Sequence, residues 1–436
     1  MAVESQQRIQ LFAPSRGREN ELARPDYMLL LIVGAMIVIG LLSIYSVSFG
    51  PKLSSGDDPW GLVERHGLFL IIGLAVMFVT MRLDYHLLQR LAVPLMLVTL
   101  ALLGLVLLFG QETEGARRWF FGGSIQPSEF AKITTIIYIA TWVTSKGTKL
   151  RQVIYGLVPF SILVGLVAGL IAAEPNFSTA ILIAATAFAV FFIAGADAIQ
   201  FGLSMLIGTV TAFIFILKSP YALSRISLVW TDVFKVPSDQ VWQLEQSLLA
   251  LASGGILGKG LSTGGGQYGY VPLAHSDGIF AIWGEETGLI GTWLLVALIL
   301  ALTYRGFRVA SKAPDDFGRV LAAGITFWLT FQAFVNIGVV TQLLPLTGQP
   351  LPFISYGGSS LIIALLGVGL LLSVSRGKPS PVVVKSTPKL SSTPRAPAEK
   401  EKNATVDDGW RNRRPRVSAV GRSTKPRRRP RTRSLD

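Results

Sequence analysis

Three groups of side chains in this sequence have the types and spacing to do chemistry. The first is Asp277, in Pro272-Leu273-Ala274-His275-Ser276-Asp277 at the head of an apolar run. A single carboxylate at a membrane–water boundary suits a general base, its proton affinity raised by partial burial. The same position suits a helix N-cap, supplied by Ser276 or Asp277, and His275 reads most simply as a local hydrogen-bonding residue. The second group is Glu129 and Lys132, three apart and therefore on one helix face, where they pair with each other or present both charges to a substrate. The third is Arg117-Arg118-Trp119. Guanidinium groups hold pyrophosphate bidentately, while Trp119 is either an interfacial anchor or a stacking surface for a sugar.

Other carboxylates fall in or beside apolar runs: Glu174, Glu285 and Glu286. Neighbouring residues on a helix point about 100° apart, so Glu285 and Glu286 do not form an acid/base dyad by themselves. A proton relay and a buried hydrogen-bonded structure both remain open for them. The Gly264-Gly265-Gly266 segment is not followed by Gly-Lys-Ser/Thr and is no phosphate-binding P-loop. No His/Asp/Glu spacing matches a metal site, and the absence of cysteine excludes thiolate chemistry and disulfide scaffolds.

The elements that must position these groups are membrane helices. The chain has 436 residues, 50% of them hydrophobic and only 15% charged, with a mean hydropathy of +0.51. A bilayer core needs about 20 apolar residues per helix. Ten such runs occur, at roughly 27–49, 66–81, 91–109, 129–145, 152–173, 176–193, 198–217, 277–304, 318–344 and 356–375. About 26 mostly polar residues precede the first, without a cleavage pattern, so no signal peptide is predicted. Loop Lys and Arg fix the orientation. With the N-terminus inside, Arg8, Arg16, Arg18, Arg24, Arg82, Arg90, Lys146, Lys149, Arg151, Arg305, Arg308, Lys312 and Arg319 all lie on the cytoplasmic side. The largest outer connection, about 218–276, has only Lys218, Arg225, Lys235 and Lys259. The expected fold is all-α: a polytopic membrane protein of about ten transmembrane helices, with a large extracytoplasmic loop and both termini cytoplasmic. Glu129, Lys132, Glu174 and Asp277 then share the outer surface. No paired interrupted helices mark the two halves, which weighs against an inverted-repeat transporter.

The net charge of +14 belongs almost wholly to one appendage. Residues 376–436 hold 18 basic and 5 acidic side chains, a net +13. This segment is too poor in large apolar residues to fold alone. It reads as a solvated topogenic tail, or as one drawn to anionic lipid headgroups. Nucleic acid is disfavoured, since only Trp410 offers base stacking there. The chain thus divides into an N-terminal cytoplasmic segment 1–26, a transmembrane domain 27–375 and a basic cytoplasmic tail 376–436.

Taken in order, Gly115–Trp119, Gln126–Lys132, Glu174–Ala180, Gln246–Gly260, Tyr270–Gly291 and Asn336–Ser360 resemble the SEDS family (shape, elongation, division and sporulation) over residues 27–376. The resemblance implies a peptidoglycan glycosyltransferase polymerising lipid II outside the cytoplasmic membrane. Its implied partners are a class B penicillin-binding protein and other division proteins. In that family the essential acid falls on Asp277, the motif tryptophan on Trp119, and the Pro-Ser-Glu-Phe…Lys set on Pro127, Ser128, Glu129 and Lys132. Substrate contacts are expected from Arg117, Arg118, Arg225, Gln246, Ser247, His275 and Ser355 as well. No cofactor is certain; a divalent cation, Mg or Mn, is the candidate helper at the pyrophosphate. The implied alternatives are a lipid II flippase and a non-catalytic division scaffold. The long tail and extended N-terminus look more like the division members than the compact elongation ones. Departures are Leu273 where the family has Glu, Gly278 where it has Phe, and Glu174-Pro175-Asn176 where it has Gln-Pro-Asp.

Overall fold

A computed structural model of the chain describes residues 25–55, 60–113, 116–120, 125–218, 223, 225, 239–265, 271 and 274–377. Residues 1–24 with their arginines, Gly115, most of 219–238, residues 266–270, Pro272, Leu273 and the basic tail beyond Gly377 lie outside the described residues.

In lipid, backbone groups must find partners within the segment itself, which long apolar runs achieve by becoming helical. Each of the ten predicted runs coincides with a helix: α1 Tyr27–Ser55, α2 Trp60–Arg82, α3 His86–Phe109, α4 Pro127–Lys146, α5 Leu157–Ala173, α6 Phe177–Ile193, α7 Ala198–Lys218, α9 Ile279–Ser311, α10 Asp316–Val340 and α11 Gly358–Arg376. Among the described residues, seven helices are long and apolar enough to cross a membrane; α5 and α6 are apolar but shorter, and α4 carries Glu129 and Lys132 inside it. The protein is a multi-pass membrane protein.

Boundaries shift where charge interrupts hydropathy without interrupting the helix. The α2 helix begins at Trp60, ahead of Glu64, Arg65 and His66. The α9 helix runs on past Arg305 and Arg308 to Ser311. Conversely, α5 starts at Leu157, later than predicted, because residues 152–156 form a turn in which the N–H groups of Tyr155 and Gly156 donate to the Gln152 carbonyl. The core sits between α4, α6, α10 and α11, where Ile133, Ile136, Val190, Phe191, Trp328 and Leu365 are all buried. The α7 helix is peripheral, and Leu31, Ile71, Phe109, Ile199 and Trp293 present large exposed apolar surfaces suited to lipid.

Two features depart from the expected picture. The segment predicted as one long loop, 218–276, contains an additional helix, α8 (Asp239–Ser253). It escaped the hydropathy reading because it is amphipathic: Val241 and Leu244 pack against Val339 and Leu346, while Gln246 and Trp242 do not share that face. The described β-structure is a two-stranded antiparallel hairpin, β1 Gln111–Thr113 and β2 Ala116–Trp119, between α3 and α4.

Candidate active site

The α4 helix starts cleanly because Pro127 occupies its first turn, where a missing N–H costs nothing. This places Ser128, Glu129 and Lys132 at one end of the bundle, all buried. The predicted pair forms: Lys132 Nζ donates to Glu129 Oε1 at 2.7 Å. Its two other protons go to Gln332 Oε1 at 3.1 Å and Gln349 Oε1 at 3.3 Å. An ammonium has three donors, so Lys132 is fully engaged with protein. The network extends outward. Gln349 Nε2 donates to Thr179 Oγ1 at 2.8 Å, and Asn176 Nδ2 donates to Ser128 Oγ at 3.2 Å. Gln332 Nε2 donates to the Pro350 carbonyl at 2.8 Å, and Trp328 Nε1 donates to Gln332 Oε1 at 3.0 Å.

Asp277 meets this network through the segment that joins α10 to α11. A Cβ built on Gly348 would lie 3.5 Å from Asp277 Oδ2, in ordinary contact, so the carboxylate sits directly beside this glycine. Asn336 Nδ2 bridges the carbonyls of Asp277 (3.1 Å) and Gln349 (2.9 Å). Ser355 Oγ donates to the Ser276 carbonyl at 2.7 Å and accepts from Leu351 N. Tyr356 N donates to the His275 carbonyl at 2.8 Å. Residues 275–277 are thus pinned by their backbone to the 349–356 segment. The aromatic ring of Tyr356 lies between His275 (5.7 Å) and His66 of α2 (6.0 Å). The N-cap reading of Asp277 and Ser276 is corrected: Gly278 is the N-cap of α9, with no side-chain capping bond.

Several buried polar atoms at this end have no hydrogen-bond partner among the described residues: Glu129 Oε2, Asn336 Oδ1, Thr347 Oγ1 and both oxygens of Glu174. Buried polar atoms are normally satisfied, so such a concentration needs a reason, and a polar ligand is one. Glu174 lies in the turn between α5 and α6. Burial pushes its carboxyl up to about 8, against the opposing attraction of Arg118.

The remaining candidates divide. Arg225 Nη1 donates to the Leu346 carbonyl at 3.3 Å, beside Thr347 and Gly348. Arg117, Arg118 and Trp119 lie on β2, which packs on α3 and α4. Gln246 and Ser247 belong to different surroundings. Gln246 lines a cavity of about 200 Å³ with Ser253, Lys259 and Glu285, and Ser247 turns its hydroxyl onto the Gln243 carbonyl at 2.8 Å. Sequence reasoning missed Gln332, Asn336, Gln349, Thr179 and His66. The available signal was polar residues at i,i+4 (Gln332, Asn336) inside an apolar helix, which persist only when they face protein or water.

Comparison with known proteins agrees with this geometry. The family model for FtsW, RodA and SpoVE, described as cell cycle protein, matches residues 26–379. A probable peptidoglycan glycosyltransferase FtsW from Geobacter metallireducens is 39% identical over 360 residues, 82% of this chain and 96% of that protein. Stage V sporulation protein E of Bacillus subtilis is 37% identical over 81% of this chain and 97% of its own. Among solved structures, one describing the structural coordination of polymerization and crosslinking by a peptidoglycan synthase complex superposes with a TM-score of 0.66. It shares 30% identity and covers 81% of this chain and 98% of the other. The rod shape determining protein RodA of Thermus thermophilus gives 0.60 at 29% identity, covering 81% and 97%. With its bundle of apolar helices and this match over most of its length, the chain belongs to the FtsW/RodA/SpoVE family of cell cycle proteins.

Proposed function

We propose that this chain is a peptidoglycan glycosyltransferase that polymerises lipid II at the outer face of the cytoplasmic membrane. The observation that carries the reading is the setting of Asp277. The backbone of residues 275–277 is held carbonyl by carbonyl by Tyr356, Ser355 and Asn336, while the Asp277 carboxylate lies beside Gly348. Asp277 takes the proton of the acceptor GlcNAc 4-hydroxyl as that oxygen attacks C1 of the donor MurNAc. The C1–phosphate oxygen bond breaks and undecaprenyl pyrophosphate leaves, its developing charge requiring cations. This role is assigned to the guanidinium groups of Arg117, Arg118 and Arg225, whose fork suits pyrophosphate, while Lys132, bonded to Glu129, Gln332 and Gln349, holds the floor of the site. Among the described residues no three His, Cys, Asp or Glu side chains converge as metal ligands. A divalent cation, Mg or Mn, would need only one or two carboxylates beside the pyrophosphate oxygens, and polymerisation with and without a chelator tests whether one is required.

The position of the polar network at one end of the bundle supports surface chemistry over headgroup transport. Inward from Lys132 the packing is dominated by Ile133, Ile136, Phe191 and Trp328. The partner proposed is a class B penicillin-binding protein, in keeping with a structural neighbour in which polymerization and crosslinking are coordinated. The site of action proposed is the division septum, in keeping with the family's description as cell cycle protein. The purified chain with its transpeptidase partner and labelled lipid II is expected to yield glycan ladders. Label crossing to the opposite leaflet of a vesicle without any ladder would overturn the reading in favour of a flippase, and neither product would leave a scaffold.

A further inference from the structure

The α9 helix is broken one-third of the way along. Gly288 takes φ 65° and ψ −162°, which separates the carbonyls of Glu285 and Glu286 from the N–H groups of Leu289 and Ile290 that a continuous helix would pair with them. Unpartnered backbone at membrane depth is costly. All four groups find partners in one short segment after α8. Lys259 N donates to the Glu285 carbonyl and Gly260 N to the Glu286 carbonyl, both at 3.0 Å; Leu289 N donates to Gly255 O at 2.9 Å and Ile290 N to Ile256 O at 3.3 Å. The approach is so close that a Cβ on Gly258 or Gly288 would collide with the facing backbone.

The two adjacent carboxylates bind the same segment. Glu285 Oε1 accepts from Lys259 Nζ at 2.7 Å, Ser253 Oγ at 3.2 Å and Gly265 N at 2.9 Å. Glu286 Oε1 accepts from Ser262 N at 3.1 Å and from the hydroxyl of Ser46 on α1. Both glutamates are buried, while Ile256, Leu257 and Leu261 on the far side of the segment are exposed. Their positions diverge around the helix, yet the one loop bonds an oxygen of each, while Glu286 Oε2 is buried with no hydrogen-bond partner among the described residues.

The locked segment continues directly from α8, and α8 packs through Val241 and Leu244 onto Leu346. Two residues on, Gly348 lies beside the Asp277 carboxylate, and Asn336 ties the Gln349 carbonyl to that of Asp277. We propose that Glu285 and Glu286 are positioning residues that lock residues 254–265 into the break of α9 and thereby hold α8 and the 346–349 segment against Asp277. This rests on the polymerase reading for its activity readout. It assigns the two glutamates no proton-relay role: they act through the loop they hold.

The chain contains no cysteine, so a disulfide between I256C and I290C gives a clean substitute for the lock. Both side chains are exposed and their backbones are already hydrogen-bonded. In full-length protein with its transpeptidase partner and labelled lipid II, E285A and E286A are expected to lower kcat about 10- to 100-fold with KM nearly unchanged, as small displacements of a catalytic constellation do. E285Q and E286Q keep an acceptor oxygen and are expected to retain most of the rate. The oxidised disulfide is expected to restore kcat to E286A, and reduction to abolish the rescue. K259M, which leaves α9 untouched, serves if the alanine variants fail to fold, with a smaller loss rescued by the same disulfide. Glutamine variants as inactive as alanine, with no rescue by the disulfide, would overturn the proposal, as would wild-type kcat in E285A and E286A. Crosslinking yield, read without substrate, is expected to drop when both glutamates are Ala; an unchanged yield would also overturn the lock. Absence of glycan ladders from the unsubstituted chain would instead overturn the polymerase reading and leave the crosslinking result to judge the lock.

Discussion

Gly348 and Glu174 show how single residues shape the site around Asp277. A Cβ at Gly348 would already touch Asp277 Oδ2 at 3.5 Å, so the further branches of a larger side chain have to find room beside the carboxylate. Gly348→Val is therefore expected to cut glycan polymerisation about tenfold or more by displacing the carboxylate, with an unchanged unfolding temperature in detergent. Glu174 gives a pH-dependent expectation. Its folded-state value of about 8 stands above the ordinary 4.5 because burial disfavours the charge. A carboxyl raised in the folded state costs nothing below the unfolded value, and its cost grows as pH rises toward the folded one. Glu174→Gln is thus expected to match the parent protein in thermal stability near pH 4 and to exceed it progressively up to about pH 8. A parallel offset at every pH would contradict this. The pairing of Glu129 with Lys132 was legible from their i,i+3 spacing, since that spacing puts them on one helix face. The role of Gln349 was not, because it reaches Lys132 across 217 residues of sequence and nothing local distinguishes it from a loop glutamine.

At the level of elements, α4 contributes a buried charge to the interface with α10 and the α10–α11 connection. The side chains of Lys132 and Glu129 are 1% and 4% exposed. Removing one partner of a buried pair strands the other charge, so Lys132→Met is expected to destabilise by about 3–5 kcal/mol. Adding Glu129→Gln to it is expected to recover part of that loss, as read by unfolding in detergent. The ten spans were readable because each is a continuous apolar run whose backbone has no alternative to helix in lipid. The α8 helix and residues 254–265 were not. One is amphipathic, and the other is Gly-rich and polar, so both present the composition of a loop. The break at Gly288 was hidden for a related reason, since glycine is common within transmembrane helices and carries no signal by itself. Only the pairing of 255–260 with α9 shows that the connection between α7 and α9 folds back onto a helix of the bundle.

Across the whole molecule, the end opposite Asp277 is closed by its own contacts. Arg305 Nη2 donates to both oxygens of Asp26 at 2.6 and 2.7 Å. Ser375 Oγ accepts from Asp26 N, and Arg376 Nη1 donates to the Met81 carbonyl at 3.1 Å. These join the starts and ends of α1, α2, α9 and α11 without touching the site. Asp26→Ala is expected to lower stability by about 1.5–3 kcal/mol, the scale of hydrogen bonds to a charged group, while kcat per folded molecule stays unchanged. The strongly basic composition describes the 376–436 segment and not this body, whose charges are nearly balanced. The central claim is that one carboxylate, held at one end of the helix bundle, removes the acceptor's proton. The most direct test is the rate of lipid II polymerisation by Asp277→Asn, purified with its transpeptidase partner. The account predicts a folded, membrane-inserted protein that yields no glycan ladder; ladders formed at the parent rate would contradict it.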